Sequence, residues 1–222
     1  MNAPAERRGF LGQLAAAVVG LATIPFAGAK AAGNATAPIG EWDEKWLEAL
    51  NAKHKQFFDA PDTTSGAGLI QARNFLNAFR DAYGTQDHDV NVVVGFHGSA
   101  AALAFQDAAW EKFRLAQYAE IIDPATKNPA LRNLFVAPRA TDPVPPDAAI
   151  PVLQQRGAVF LLCNNSLRRI TRTLHADGYG EDDALRKELL GRHLVPGVIV
   201  VPSMVVAANR TQARGFSYVY SG

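Results

Sequence analysis

Three short, continuous apolar runs, each followed by a tight polar turn and a helical pattern, constrain the fold more than any other feature. The runs cover residues 90–96, 158–163 and 198–201. Uninterrupted apolar runs of this length are typical of strands that are buried on both faces. Because helices alternate with these runs as far as a last predicted strand at 216–220, we expect an α/β protein with a mainly parallel sheet and helices on both faces.

Before residue 85 the pattern is helical. The spacing of Trp42, Trp46, Leu50 and Phe57 predicts an amphipathic helix, and a second apolar pattern predicts a helix that ends at Gly84. We therefore expect an N-terminal helical extension over residues 41–84 and an α/β domain over residues 85–222.

A proline-rich stretch interrupts the α/β pattern at residues 123–151. Its prolines exclude a continuous helix and indicate an ordered insertion or lid, with a short edge strand at 134–137. The seven prolines are at positions 124, 129, 138, 143, 145, 146 and 151.

The N-terminus resembles a twin-arginine export signal. Arg7 and Arg8 precede a mildly apolar run over residues 14–29, and small residues suit cleavage near residue 31. A signal over residues 1–31 and a linker over 32–40 predict a protein exported to the periplasm, with no membrane association after cleavage. An uncleaved anchor is the alternative, but a glycine and a proline break the run, which is short for a spanning helix.

Charge and cysteine content exclude several classes of function. The 22 basic and 21 acidic residues nearly cancel, so nucleic acid is not an expected partner. Cys163 is the single cysteine, which rules out an intramolecular disulfide, a C-x-x-C redox pair, a c-type haem attachment and a zinc knuckle. The histidines show no metal-ligand spacing, and Gly95 and Gly98 lack the third glycine of a dinucleotide fingerprint. We expect neither a metal nor a cofactor.

The candidate site lies where the predicted strands end, because ligands of open α/β sheets bind beyond the carboxyl ends of the strands. Cys163 and His97 are the predicted reactive residues. The helix that follows Cys163, with Arg168 and Arg169 near its start, would favour the thiolate, and His97 would pair with that thiolate if the two strands are neighbours. The predicted ligand-binding residues are Gly98, Ser99, Asn164, Asn165, Ser166, Pro202 and Ser203.

Each reactive candidate also has a structural interpretation. A lone cysteine at the end of an apolar run is often a packed core residue. An imidazole at the end of a strand can simply bond to the backbone. Both interpretations stay open from the sequence alone.

Three segments resemble the DsrE/DsrF-like family of sulfur-handling proteins. They are Val-Val-Val-Gly-Phe-His-Gly-Ser at 92–99, Gly-Ala-Val-Phe-Leu-Leu-Cys-Asn-Asn-Ser-Leu at 157–167 and Leu-Val-Pro-Gly-Val-Ile-Val-Val-Pro at 194–202. The resemblance implies a flavodoxin-like three-layer α/β/α sandwich that assembles as a homo-oligomer. It also implies a persulfide on Cys163, exchanged with a sulfur donor or acceptor protein or with a small sulfur compound.

The sequence thus predicts an exported DsrE-like protein that binds or carries a sulfur species at a single-cysteine pocket, and it leaves open whether this protein is an enzyme. The alternative is a noncatalytic small-molecule-binding or assembly module on the same scaffold. A flavodoxin-type electron carrier is disfavoured, because no Ser/Thr-rich phosphate loop follows the first predicted strand.

Overall fold

A computed structural model describes Trp42 and residues 44–222. In this part of the chain, five parallel strands form one sheet. The predicted signal and linker lie outside the described residues. The strands, in the spatial order β4-β3-β2-β1-β5, are β1 His54–Ala60, β2 Val90–Phe96, β3 Val159–Cys163, β4 Ile199–Val201 and β5 Ser217–Tyr220.

Helices cover both faces of this sheet. Their bounds are α1 Lys45–Glu48, α2 Ala67–Tyr83, α3 Asp107–Phe113, α4 Leu115–Ala119, α5 Ile150–Gln155, α6 Asn164–Ala176, α7 Asp182–Glu188 and α8 Met204–Ala213. Helices α2, α5 and α6 contribute to the core on one face, and α1 and α8 contribute to the core on the other. A 3₁₀ segment, Gly98–Ala104, leaves the end of β2.

The α/β class and the three-layer arrangement are confirmed. The chain runs from β1 to β4 in one direction across the sheet and then returns to the far side of β1 for β5. This order differs from the 2-1-3-4-5 order of flavodoxin. The parallel ladders β4-β3, β3-β2, β2-β1 and β1-β5 place the carboxyl ends of all five strands at one edge.

Alternation along the strands divides the core into two clusters. Phe58 and Leu162 belong to the larger cluster, whereas Phe57, Leu161 and Cys163 belong to the smaller cluster under α8. Since successive side chains of a strand point to opposite faces, the sheet needs apolar residues at almost every position. This requirement explains the continuous apolar runs in the sequence.

The predicted N-terminal helical extension is wrong in its first half. Residues 54–60 form β1, which pairs with β2 on one side and β5 on the other. Only α1 remains of the expected first helix, while α2 ends as predicted at Gly84, which adopts a left-handed conformation with φ 66°. Residues 41–222 form one compact unit, so residue 85 is not a domain boundary.

The edge strand predicted at 134–137 is also wrong. This segment forms a turn with no strand pairing, and Leu134 and Phe135 are buried in the larger core cluster. The side chain of Asn133 takes the place of strand pairing, because its amide donates to the carbonyl oxygens of Leu103 and Phe105 and accepts from the backbone N–H of Phe135. The insertion is ordered by this buried amide.

A single helix was expected to follow β2, and it is split in two. The 3₁₀ segment Gly98–Ala104 is followed by an extended residue at Phe105, and α3 begins only at Asp107. Ser99 therefore lies inside the 3₁₀ segment and does not cap a helix. No helix among the described residues is long and apolar enough to cross a membrane.

The insertion carries a buried ion pair that can be tested. Arg132 donates two hydrogen bonds to Asp142, at 2.8 and 2.7 Å, and the Asp142 side chain is fully buried. Asp147, by contrast, is 60% exposed in its pair with Arg73. We expect Asp142→Ala to lower the free energy of unfolding by about 3 kcal/mol, because Arg132 loses its two hydrogen bonds and keeps only the longer contact with Asp123, at 3.5 Å.

The matched control is Asp147→Ala, which should cost less than about 1 kcal/mol, since exposed ion pairs contribute little. Urea denaturation of both variants measures the difference. Equal losses in the two variants would show that the buried pair does not stabilise the insertion.

Candidate functional site

The carboxyl edge of the sheet brings together the three segments that the sequence singled out. Strands β2, β3 and β4 are neighbours, so the residues after them, at 97–99, 163–166 and 202–203, follow one another along this edge. Two segments are directly linked, because the backbone N–H of Gly98 donates to the hydroxyl of Ser166 at 3.0 Å.

His97 directly follows β2, and Cys163 is the last residue of the neighbouring strand β3. The ladder between these strands ends with Phe96 in register with Leu162, so His97 and Cys163 are the next residue on each chain. Adjacent strands are separated by about 4.8 Å. Cys163 belongs to the cluster under α8, and His97 turns to the same face, where its ring meets Asp59. The predicted pairing of His97 with the thiolate required the two strands to be neighbours, and they are neighbours.

Asp59 is a site residue that the sequence analysis missed. It lies near the end of β1, and its Oδ1 is 2.8 Å from Nε2 of His97. Its other oxygen, Oδ2, accepts a hydrogen bond from the hydroxyl of Tyr218 on β5, at 2.6 Å. A tyrosine on β5, an aspartate on β1 and the histidine that follows β2 thus contact one another in sequence.

The environment of Asp59 keeps it ionised. Burial opposes the charged form, but the contact with His97 and the hydrogen bond from Tyr218 outweigh it, so the pKa of Asp59 lies below its ordinary value of 3.8. The hydrogen bond between Tyr218 and Asp59 has the opposite effect on the pKa of Tyr218. Burial and the hydrogen bond to Asp59 raise the pKa of Tyr218 to about 12. Tyr218 therefore stays a hydrogen-bond donor throughout the physiological range.

Gly98 makes the tight turn that follows His97. Its φ of 52° is in the left-handed region, and a Cβ at this position would collide with the carbonyl oxygen of Pro61. The turn is held at both backbone groups, because Ser166 accepts from the N–H of Gly98 and Tyr118 donates to its carbonyl oxygen. This geometry fixes the path of the backbone beside His97.

Cys163 is buried, with 5% of its surface exposed, among apolar residues that include Val201 and Met204. It is the residue immediately before α6, which begins at Asn164. Ser166 lies within the first turn of this helix, and its hydroxyl accepts from the N–H of Gly98. Of the two arginines expected to favour the thiolate, Arg169 donates to the hydroxyl of Tyr118.

The remaining predicted residues differ in their surroundings. Asn165 is exposed, whereas Ser99, Pro202 and Ser203 are half-buried at the edge. Ser203 precedes α8 without a side-chain capping bond. The Oδ1 atom of Asn164 is buried and has no hydrogen-bond partner among the described residues. The structure therefore places these side chains at the edge but links only Gly98 and Ser166.

Asp59 and Tyr218 left little signal in the sequence. Asp59 lies in the segment Asp-Ala-Pro-Asp at 59–62, which indicates a helix break as readily as the end of a strand. Tyr218 lies in the predicted last strand, but nothing in the sequence places that strand beside β1. A polar residue at the end of β1 would have been the signal, had the strand itself been recognised.

No group of three His, Cys, Asp or Glu side chains in the described part of the chain is arranged to hold a metal ion. A cleft of about 420 Å³ lies at the opposite edge of the sheet, with Arg80, Asp87 and Arg156 in its lining. Arg156 is already paired with Asp87 through two hydrogen bonds. We take the carboxyl edge as the candidate site, since it is where parallel sheets bind ligands.

Comparison with known proteins adds no assignment: no protein-family model, no curated protein and no solved structure matches this chain. The fold and the carboxyl edge define the class of protein. It is an α/β protein with a five-stranded parallel sheet, in which an aspartate on β1 contacts the histidine that follows β2, and β3 ends in a buried cysteine.

The lowered pKa of Asp59 predicts how its contribution to stability depends on pH. A carboxyl group whose pKa is lower in the folded state stabilises the fold above its unfolded pKa and loses this effect as the pH falls through its folded pKa. We expect Asp59→Asn to lower the free energy of unfolding by about 2 kcal/mol at pH 6, where a charged hydrogen-bonded group is lost.

The difference between the wild type and Asp59→Asn should shrink as the pH falls below the ordinary value of 3.8. Urea denaturation of both proteins at pH 6 and pH 3 measures it. A difference that is unchanged between the two pH values would contradict the stabilisation of ionised Asp59 by His97 and Tyr218.

Proposed function

We propose that the carboxyl edge at Cys163, His97 and Asp59 binds or carries a sulfur species. The observation that supports this function best is the position of His97, which contacts Asp59 on β1 and directly follows β2, the neighbour of the strand that ends at Cys163. The resemblance of the three strand-end segments to DsrE/DsrF-like proteins points in the same direction. The neighbouring residues, including the backbone of Gly98 and the hydroxyl of Ser166, would line the approach to the thiol.

The proposed chemistry needs one thiol and one base. His97 accepts the proton of the Cys163 thiol, and the thiolate attacks the outer sulfur of a persulfide donor, R–S–SH. A new S–S bond forms on Cys163 while the S–S bond of the donor breaks. The leaving thiolate, R–S⁻, takes up the proton from His97. The exchange is redox-neutral, because one persulfide and one thiol are consumed and one of each is produced.

A second candidate function is a noncatalytic binding or assembly module on the same scaffold. The observation that favours it is the burial of Cys163 in the cluster under α8, where Met204 and Phe57 also pack. A buried thiol in apolar surroundings is usually inert. In such a module, the carboxyl edge would bind a small molecule without covalent chemistry, and Cys163 would serve only the packing.

Thiol reactivity separates the two functions. If Cys163 exchanges sulfur, a small alkylating reagent should label it in the folded protein at pH 7, and a persulfide donor should add one sulfur atom to its mass. His97→Ala should slow labelling roughly tenfold or more, because a positioned base is lost. Intact-mass spectrometry over time measures both reactions.

The control variants are His88→Ala, which removes an exposed imidazole at the other edge of the sheet, and Cys163→Ser. The first should label at the wild-type rate, and the second should neither label nor gain sulfur. Labelling only after denaturation would exclude sulfur carriage and leave the binding module in its place.

We propose further that the protein works in the periplasm after export by the twin-arginine route. Arg7 and Arg8 ahead of an apolar run support this location. Replacing both arginines with lysine, which keeps the charge, should leave the precursor in the cytoplasm, because the export receptor recognises the arginine pair. Cell fractionation measures the distribution, and normal periplasmic accumulation of the Lys-Lys variant would contradict this route.

Assembly into a homo-oligomer is also proposed. Helix α8 exposes two valines, Val205 and Val206, whose exposed fractions are 74% and 44%. Apolar side chains on neighbouring positions of one helix suit contact with a second copy of the chain. The functional partner of the candidate site would be a sulfur donor or acceptor protein, or a small sulfur compound.

A further inference from the structure

The C-terminal strand β5 contributes a side chain to the candidate site. Tyr218 donates to Oδ2 of Asp59, while Oδ1 of the same carboxylate contacts Nε2 of His97. The main chain of Asp59 is held by the same strand end, since the N–H of Ser221 donates to its carbonyl oxygen at 2.8 Å. The carboxylate cannot rotate without giving up one of its two partners.

The ring of His97 is therefore held from one side. Its Nε2 is buried 2.8 Å from Oδ1 of Asp59, a contact outside hydrogen-bond geometry, and neither atom has a hydrogen-bond partner among the described residues. In a neutral imidazole one nitrogen carries the proton, and a negatively charged neighbour favours the proton on the nitrogen that faces it. A carboxylate only accepts protons, so contact with Asp59 places the ring proton on Nε2. The lone pair is then left on Nδ1.

We infer that Tyr218 is a positioning residue: by holding Oδ2 of Asp59, it directs Oδ1 at Nε2 of His97 and so keeps Nδ1 as the basic nitrogen of the site. The role of that nitrogen rests on the proposed function, in which it takes the proton of the Cys163 thiol. The low pKa of Asp59 and the raised pKa of Tyr218 agree with this arrangement, because the acceptor stays charged and the donor keeps its proton.

The chain offers a matched pair of variants. Tyr218→Phe removes only the hydroxyl and keeps the ring that stacks on Phe57, with centroids 6.0 Å apart. Tyr220→Phe, two residues further along β5, removes an equivalent hydroxyl that has no hydrogen-bond partner in the described part of the chain, on a side chain that is 59% exposed.

The readout is the tautomer of His97, measured from the ¹⁵N chemical shifts of its two ring nitrogens in the neutral ring. The wild type and Tyr220→Phe should show the Nε2–H tautomer. In Tyr218→Phe the ratio of Nε2–H to Nδ1–H should fall roughly tenfold, as expected when a hydrogen bond to a charged acceptor is lost. An unchanged ratio in Tyr218→Phe, or an equal fall in Tyr220→Phe, would overturn the inference.

A second variant covers the case in which Tyr218→Phe does not fold. Asp59→Asn can present an amide N–H to Nε2 and should shift His97 towards the Nδ1–H tautomer, so a retained Nε2–H tautomer would overturn the inference as well. The readout is independent of sulfur chemistry. Failure of Cys163 to take up sulfur would overturn the proposed function alone, whereas an unchanged His97 tautomer would overturn only the role of Tyr218.

Discussion

The position of β1 between β2 and β5 is the constraint on which the rest of the structure depends. All ladders are parallel, so each connection must cross a face of the sheet, and the carboxyl ends of all strands meet at one edge. β1 then carries Asp59 to the point where His97 follows the end of β2 and β5 brings Tyr218. Without β1 in the middle, these three side chains would have no common edge.

The electrostatics at this edge follow from partial burial. A carboxylate removed from water is costly unless opposite charge or hydrogen-bond donors replace the water. Around Asp59, Tyr218 donates to one oxygen and the imidazole of His97 lies against the other. The net effect favours the ionised carboxyl, which orients the His97 ring. The cost of burying Asp59 is thus offset by the same two contacts that arrange the site.

The two candidate functions place different demands on Cys163. Sulfur exchange needs a thiol that a donor can reach and a base beside it, and His97 follows the strand next to the one that ends at Cys163. A binding module needs only a well-packed cluster under α8, and the burial of Cys163 meets that demand. The neighbouring turn is compatible with both, since Gly98 is held by Ser166 and Tyr118 and keeps His97 in place in either case.

The sequence by itself determined the α/β class, strands β2 to β5 and the helix end at Gly84, because continuous apolar runs and a glycine cap are local signals. It also placed His97 and Cys163 at strand ends. Only the tertiary structure decided that residues 54–60 form a strand, because three polar residues open that segment and the contacts that bury it come from β2 and β5. The contacts of Asp59 with His97 and Tyr218 depend on this strand, since their side chains meet across strands that are distant in sequence.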